Sequence, residues 1–420
     1  MIRAVKGTRD ILPPSSAIWN KVEESARRVF ATYNYHEIRT PLLEETTLFA
    51  RGVGEETDIV SKEMYTFEDR DGSSLTLRPE NTASVLRAYI EHRLDQIPGV
   101  QKLYYLGPMF RRERPQKGRY RQFYQIGAEV IGTESPFVDA ELIEMVLAIL
   151  KAVGIRDSHL LINSVGCTNC RPKFNEALRE RLKDVVGDMC ADCQRRAETN
   201  PLRVLDCKVP EDQPIIDSLP SILDYLDEPC REHFRRVREF LEDRQIAFEI
   251  RPRLVRGLDY YTRTTFEITH GSLGAQNAIV GGGRYDGLAE SLGSKVPAPG
   301  IGFSIGEDRL VMTVEEKETL SVPPLDLYIA PMGELALEHA GVLASEIRML
   351  GISVEVGTDQ KLKRMLELAN KLKAQYTLIL GDNEIVSKSY ALKNMKSGEQ
   401  VVLTRQELLG RFRESGATAS

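Results

Sequence analysis

The stretch that most restricts the fold runs from Leu103 to Gly132, LYYLGPMFRRERPQKGRYRQFYQIGAEVIG. Leu103, Tyr105 and the run Phe123 to Ile126 lie in aromatic and branched segments, the kind that suits a pleated, half-buried strand. Between them, Arg111 to Arg121 carries five arginines and one lysine against a single acid, Glu113. Like charges at this density repel unless an anion holds them together. Two strands joined by such a loop predict a polyanion-binding hairpin. Arginine suits phosphate because its planar fork donates two parallel hydrogen bonds. Phe110 precedes the first arginine and Phe123 follows the last. With Glu113 they offer a phosphate clamp, an aromatic plate and an acceptor for an adenine edge, which together make a nucleotide site in one hairpin.

Phe110-Arg111-Arg112-Glu113 with Arg121-Gln122-Phe123 resembles motif 2 of class II aminoacyl-tRNA synthetases. Two further stretches are similar to the histidine-specific signatures of the histidyl-tRNA synthetase family. They are Arg256-Gly257-Leu258-Asp259-Tyr260-Tyr261-Thr262 and Gly281-Gly282-Gly283-Arg284-Tyr285-Asp286-Gly287-Leu288. The resemblance spans the chain, from Lys6-Gly7-Thr8-Arg9-Asp10 onward. It implies an α+β catalytic domain over 1–320 with a mainly antiparallel sheet and a helical insertion at about 167–241. It further implies a linker at 321–324 and a C-terminal α/β domain of the anticodon-binding type over 325–420.

The 420 residues suffice for two or three domains. The longest plain apolar run, Met145 to Leu150, is far short of the ~20 residues that a spanning helix needs. The N-terminus has no apolar core of a signal peptide. The expected location is therefore the cytoplasm, with no membrane partner. A net charge of −6 is not a nucleic-acid footprint, so positive charge must act locally, as in the 111–121 loop.

Ile18, Val22, Ala26, Val29 and Tyr33 share one face and predict a helix over about 16–33. A strand is expected at 35–42, ending at Pro41. Helix, strand and proline resemble class II motif 1, which implies a homodimer. Ser74–Arg78 reads as a strand that delivers Arg78-Pro79-Glu80-Asn81-Thr82 to the start of a helix, with Asn81 or Thr82 as its cap. A helix over 135–153 and strands at 160–165, 248–255, 264–268 and 278–280 follow. Pro299 to Leu310 resembles class II motif 3, a strand feeding a helix that bears Arg309. Beyond Ser321-Val322-Pro323-Pro324, strands and helices alternate regularly and predict a mostly parallel sheet. Basic and acidic side chains balance in this last region, so only its position implies an anticodon role.

The resemblance also assigns roles. Arg111 and Arg256 would flank the α-phosphate of ATP as the catalytic pair. Glu113, Arg121, Phe123 and Arg309 would complete the ATP site, with Mg²⁺ on the β- and γ-phosphates. For L-histidine, Glu80, Asn81, Thr82 and Gln125 stand where the amino group binds. The neutral imidazole has one N–H and one lone pair, and Glu129 and Tyr261 would complement them. Tyr260 and Tyr285 would form the wall. The partners implied are ATP, L-histidine and tRNA(His). The alternative from another class is a histidine-binding regulatory paralogue of histidine biosynthesis, without catalysis.

Cys167, Cys170, Cys190 and Cys193 form two Cys-x2-Cys pairs nineteen residues apart. That spacing fits a four-cysteine zinc site, which would pin an insertion with little apolar core. The competing reading is four reduced thiols in a helical insertion. The resemblance does not imply zinc, so no zinc site is assigned. Cys207 and Cys230 have no obvious ligand partners in the sequence.

Overall fold

The computed structural model describes residues 2–55, 57–271, 278–317, 324–359 and 361–416. Ser321, Val322 and Pro323 of the expected linker lie outside that range, as do residues 417–420. The chain divides into two compact units, Met1–Leu320 and Ser321–Ser420.

The first unit is built on an eight-stranded sheet. Its spatial order is His36–Glu37, Gln101–Phe110, Gln122–Ile131, Gly300–Gly306, Ala278–Arg284, Thr262–His270, Ser158–Ser164 and Glu249–Ile250. The two outermost pairings are parallel and the rest antiparallel. The basic hairpin supplies the second and third strands of this sheet. Its strands pair over ten residues each, from Gln101 opposite Ile131 to Phe110 opposite Gln122.

Two expected strands are shorter than their β-prone runs. The 35–42 strand is only His36–Glu37, with one further bond from the Ile38 N–H to the Tyr104 carbonyl at 2.8 Å. The 248–255 strand is only Glu249–Ile250, because Pro252 ends it and Leu254 N–H turns back to the Arg251 carbonyl.

Four helices pack on one face of the sheet: Ser15–Thr32, Pro136–Ala152, Glu228–Asp243 and Glu307–Glu315. Strand alternation decides what they meet. Ile126, Ala128 and Val130 of one strand, and Ile301, Phe303 and Ile305 of its neighbour, join the helix-side core. Phe30 stacks on Tyr104 with ring centroids 4.4 Å apart. Burying such a side chain stabilises the fold by roughly 1.5–3 kcal/mol. The alternate residues, Gln125 and Glu129, and Gly302 and Ser304, are left for the opposite face.

The Glu228–Asp243 helix packs on two cores. Phe234, Val237 and Leu241 belong to the main core, while Cys230 in its first turn packs with the insertion. The insertion is not short of apolar packing. Phe174, Leu178, Leu182, Val204, Ile216 and Ile222 bury one another there.

Arg284 of the glycine-rich signature is fully buried and structural. It donates to Asp139 at 2.5 Å, and the other Asp139 oxygen meets His233 at 2.8 Å. Burial opposes ionisation of Asp139, but the Arg284 charge prevails and holds its pKa below the ordinary value.

The second unit holds a five-stranded sheet in the order Val354–Val356, Leu327–Pro331, Tyr376–Leu380, Ser389–Asn394 and Gln400–Thr404. The first two pairings are parallel and the last two antiparallel, so the sheet is mixed rather than mostly parallel. Only a turn separates Asn394 from Gln400, too little chain for the crossover that parallel pairing requires.

Candidate active site

Two cavities share a wall on the sheet face opposite the helices. The smaller is about 180 Å³. Its polar lining comes from Glu80, Thr82, Tyr105, Gln125, Tyr260, Tyr261 and Tyr285. The larger is about 810 Å³ and is lined by Glu113, Arg119, Phe123, Glu267, Asp308 and Arg309, among others. Arg111 and Arg256 line both. The two arginines singled out from separate motifs, 145 positions apart, therefore stand at one boundary.

Neighbouring groups hold each arginine. Arg111 Nε donates to the Pro79 carbonyl at 2.9 Å, and its guanidinium lies 5.3 Å from the Phe123 ring centroid. Arg256 Nη1 donates to Glu267 Oε2 at 2.7 Å. The Arg256 guanidinium passes over Gly281, where any Cβ would overlap it. This close approach explains one glycine of the signature.

Glu80 begins the Thr82–Glu91 helix. Its carboxylate accepts from the N–H groups of Thr82 at 2.8 Å and Ala83 at 3.0 Å. Glu80, rather than Asn81 or Thr82, supplies the side-chain cap. Burial raises the Glu80 pKa, and these two N–H donors oppose the rise. The Tyr260 hydroxyl reaches the same carboxylate at 3.4 Å. Gln125 presents a buried Oε1 with no hydrogen-bond partner among the described residues. A buried acceptor left unpaired beside a cavity calls for a donor from a ligand.

Glu129 lies one layer behind the lining. Three lining hydroxyls donate to it: Tyr285 at 2.7 Å, Thr82 at 2.8 Å and Tyr105 at 3.4 Å. It passes over Gly302, where a Cβ would again overlap. Burial pushes its pKa up to about 8, against the pull of the Tyr285 and Thr82 hydrogen bonds.

Two expected site residues face elsewhere. Asn81 is fully buried outside the small cavity, and its Oδ1 accepts from Thr40 Oγ1 at 2.6 Å and Arg78 Nη1 at 3.1 Å. Buried Arg78 needs acceptors, and Asn81 is one of them. Arg121 packs along Gly7, whose Cβ, if present, would lie 2.7 Å from Arg121 Cγ. The Arg121 N–H also donates to the Gly7 carbonyl at 2.7 Å. Arg121 thus ties the N-terminal segment to the hairpin and is not part of the large cavity's lining.

Within the large cavity, Glu113 is held by Arg119 at 3.0 Å. Arg309 Nη1 donates to the Ala278 carbonyl at 2.8 Å. Sequence reasoning missed Tyr105, Ser304 and Glu267. For Glu267 a signal existed: it is the one acid in the β-prone run Thr264-Thr265-Phe266-Glu267-Ile268-Thr269, where an acid needs a cation.

Comparisons with known proteins agree with this architecture. The family profile "Histidyl-tRNA synthetase" matches residues 7–310, and "Anticodon binding domain" matches residues 326–415. A histidine–tRNA ligase of Solibacter usitatus is 71% identical over 98% of this chain and 99% of its own. One from Koribacter versatilis is 56% identical over 99% and 97%. The crystal structure of apo histidyl-tRNA synthetase from S. aureus superposes with a TM-score of 0.82 at 39% identity, over 98% of this chain and 100% of that one. The fold is thus that of a synthetase catalytic domain with an anticodon-binding domain behind it in sequence. The chain belongs to the histidyl-tRNA synthetase family.

Proposed function

We propose that the protein is a histidine–tRNA ligase. It would join L-histidine to ATP as histidyl-adenylate, release diphosphate, and pass the histidyl group to tRNA(His) with release of AMP. The observation that carries this reading is the placement of Arg111 and Arg256 in the wall common to both cavities. Histidine in the small cavity and ATP in the large one would bring carboxylate and α-phosphate together there. Both groups are anionic, so cations must flank the phosphate as charge develops on it.

The small cavity suits histidine. Glu80 and the unpaired Gln125 Oε1 would accept from the ammonium group, with Thr82 beside them. The hydroxyls of Tyr261 and Tyr285 would meet the imidazole nitrogens. Glu129 would set the polarity of the floor through the hydroxyls that it holds. In the large cavity, Phe123 would stack on adenine, Glu113 would accept from its amino group, and Arg309 would bind the γ-phosphate. The lining also carries oxygen donors, Glu113 and Glu267, of the kind that Mg²⁺ takes beside phosphates. Mg²⁺ would supply charge neutralisation on the leaving diphosphate.

The same reading includes a homodimer formed through the motif 1 region, where Leu42 and Leu43 are exposed beside the sheet edge. It also includes a cytoplasmic location. Among the described residues, no helix is long and apolar enough to cross a membrane. The regulatory alternative is not favoured, because Arg111, Arg256 and Arg309 all line the large cavity and the 326–415 domain is present.

ATP–diphosphate exchange measured across the twenty amino acids, followed by charging of tRNA(His), tests the proposal. Exchange should depend on histidine alone. Exchange with a different amino acid, or none with any, would overturn it.

A further inference from the structure

The six cysteines do not gather as the sequence spacing suggests. Cys167 and Cys170 meet Asp227 and Cys230, while Cys190 and Cys193 meet Cys207 and Asp212. Within each group, the four ligand atoms all lie within 4.8 Å of one another. The two Cys-x2-Cys pairs therefore belong to different clusters. The two cysteines without evident partners complete them, each with a carboxylate.

We propose that each cluster is a closed, structural zinc site with three thiolates and one aspartate as ligands. The distances match that coordination. A tetrahedral ion with Zn–S of about 2.3 Å and Zn–O of about 2.0 Å sets S···S edges near 3.8 Å and S···O edges near 3.5 Å. In the first cluster, Cys167 and Cys170 sulfurs are 3.7 Å apart, and Cys167 Sγ lies 3.4 Å from Asp227 Oδ2. In the second, Cys190 and Cys207 sulfurs are 3.8 Å apart, and Cys207 Sγ lies 3.1 Å from Asp212 Oδ2.

Donors are already aimed at the sulfurs. Backbone N–H groups point at the sulfurs: Asp227 to Cys170 at 3.2 Å, Asn169 to Cys167 at 3.4 Å, and Val209 to Cys207 at 3.4 Å. Such donors stabilise the negative sulfur that a metal needs. The second oxygen of each aspartate is also oriented. Asp227 Oδ1 accepts from Cys230 N–H at 3.0 Å, and Asp212 Oδ1 from Cys190 N–H at 3.1 Å. Disulfides explain neither cluster, since three sulfurs cannot all pair and all six cysteines are free. A ligand set dominated by thiolate selects zinc over magnesium or calcium.

Their placement gives each ion a task. The first would clasp the opening of the insertion, Cys167 and Cys170, to Asp227 and Cys230. The second would hold the turn carrying Cys207, which lines the large cavity together with Cys190. Neither site leaves a coordination position for chemistry. The proposal does not depend on the ligase reading.

The test is elemental analysis of the full-length protein, purified under reductant without chelator. About two zinc ions per chain are expected. Cys207→Ser and Cys230→Ser should each remove one. Cobalt should replace both ions and give thiolate charge-transfer bands with tetrahedral ligand-field bands. If the cysteine variants fail to fold, Asp212→Asn and Asp227→Asn should still speed the loss of one ion each to a chelator. Three results would overturn the proposal. The first is zinc below roughly a tenth of an equivalent, both as purified and after reconstitution, since closed thiolate sites retain metal. The second is a single ion insensitive to Cys207 and Cys230. The third is a cobalt spectrum without thiolate bands.

Discussion

The space occupied by the Arg256 guanidinium exists because residue 281 is glycine. Gly281 faces the cavity from the neighbouring strand, and a methyl group there would overlap Nη2. The atom displaced is the far end of a flexible side chain, so the fold need not change. Gly281→Ala should therefore leave thermal stability within about 1 kcal/mol of wild type, while histidine-dependent exchange falls steeply. Circular dichroism melts beside exchange kinetics check this. Unchanged exchange would mean that Arg256 does not need its present position.

Arg256→Ala should cripple adenylate formation and largely spare histidine binding. Its contact with the α-phosphate would matter most in the transition state. Loss of one such donor costs on the order of 2.7–4 kcal/mol, or 10²–10³ in rate. Exchange within a few-fold of wild type would remove Arg256 from the catalytic pair.

Glu129→Gln should change both substrate selection and pH behaviour. KM for histidine should rise while KM for ATP holds. The folded-state pKa of about 8 exceeds the ordinary value of 4.5. Between those values the folded protein keeps a proton that the unfolded chain has lost, so stability falls as pH rises. The protonated group's contribution is complete below the ordinary value and is lost as pH climbs through about 8. Glutamine cannot ionise, so the variant's Tm should decline less over that window. Parallel Tm profiles for the two proteins would contradict the burial argument.

Arg284→Ala should destabilise the first unit without touching a substrate. It would leave Asp139 buried without a guanidinium beside it. Breaking a buried pair by removing one partner costs about 3–5 kcal/mol. Urea unfolding gives the direct measurement. A loss below 1 kcal/mol would show that water or His233 compensates for the missing charge.

Truncation after Leu320 should preserve much of the exchange reaction and abolish efficient charging of tRNA(His). The residues lining both cavities all lie in the first unit, Met1–Leu320. Oligomeric state must be measured on the same sample. Full charging by the truncated protein would refute an anticodon role for the second unit.

Much of the architecture was legible in the chain because local pattern and tertiary demand agree. The basic hairpin, the amphipathic first helix and the strand-to-helix step at Arg309 each carry their own periodicity. Arg111, Arg256, Thr82, Gln125 and the tyrosine pair were legible through motifs, which also brought in Asn81 and Arg121. A motif marks positions that matter, without separating those that meet a ligand from those that brace the frame. Asn81 serves buried Arg78, Arg121 serves Gly7, and Arg284 serves Asp139. Only packing in three dimensions makes those distinctions.

The cysteines show the same division most sharply. Spacing suggested that both Cys-x2-Cys pairs share one site. Each pair does stay together, because residues three apart at a turn remain near one another in almost any fold, but the two pairs lie in different clusters. Spacing could not say which distant groups complete each unit. Asp227 and Cys230 reach Cys167 only because the Glu228–Asp243 helix docks on the main core and returns the chain to the start of the insertion. Short-range geometry is written in sequence separation. Long-range pairing depends on which apolar faces bury together, and that is decided by the tertiary structure alone.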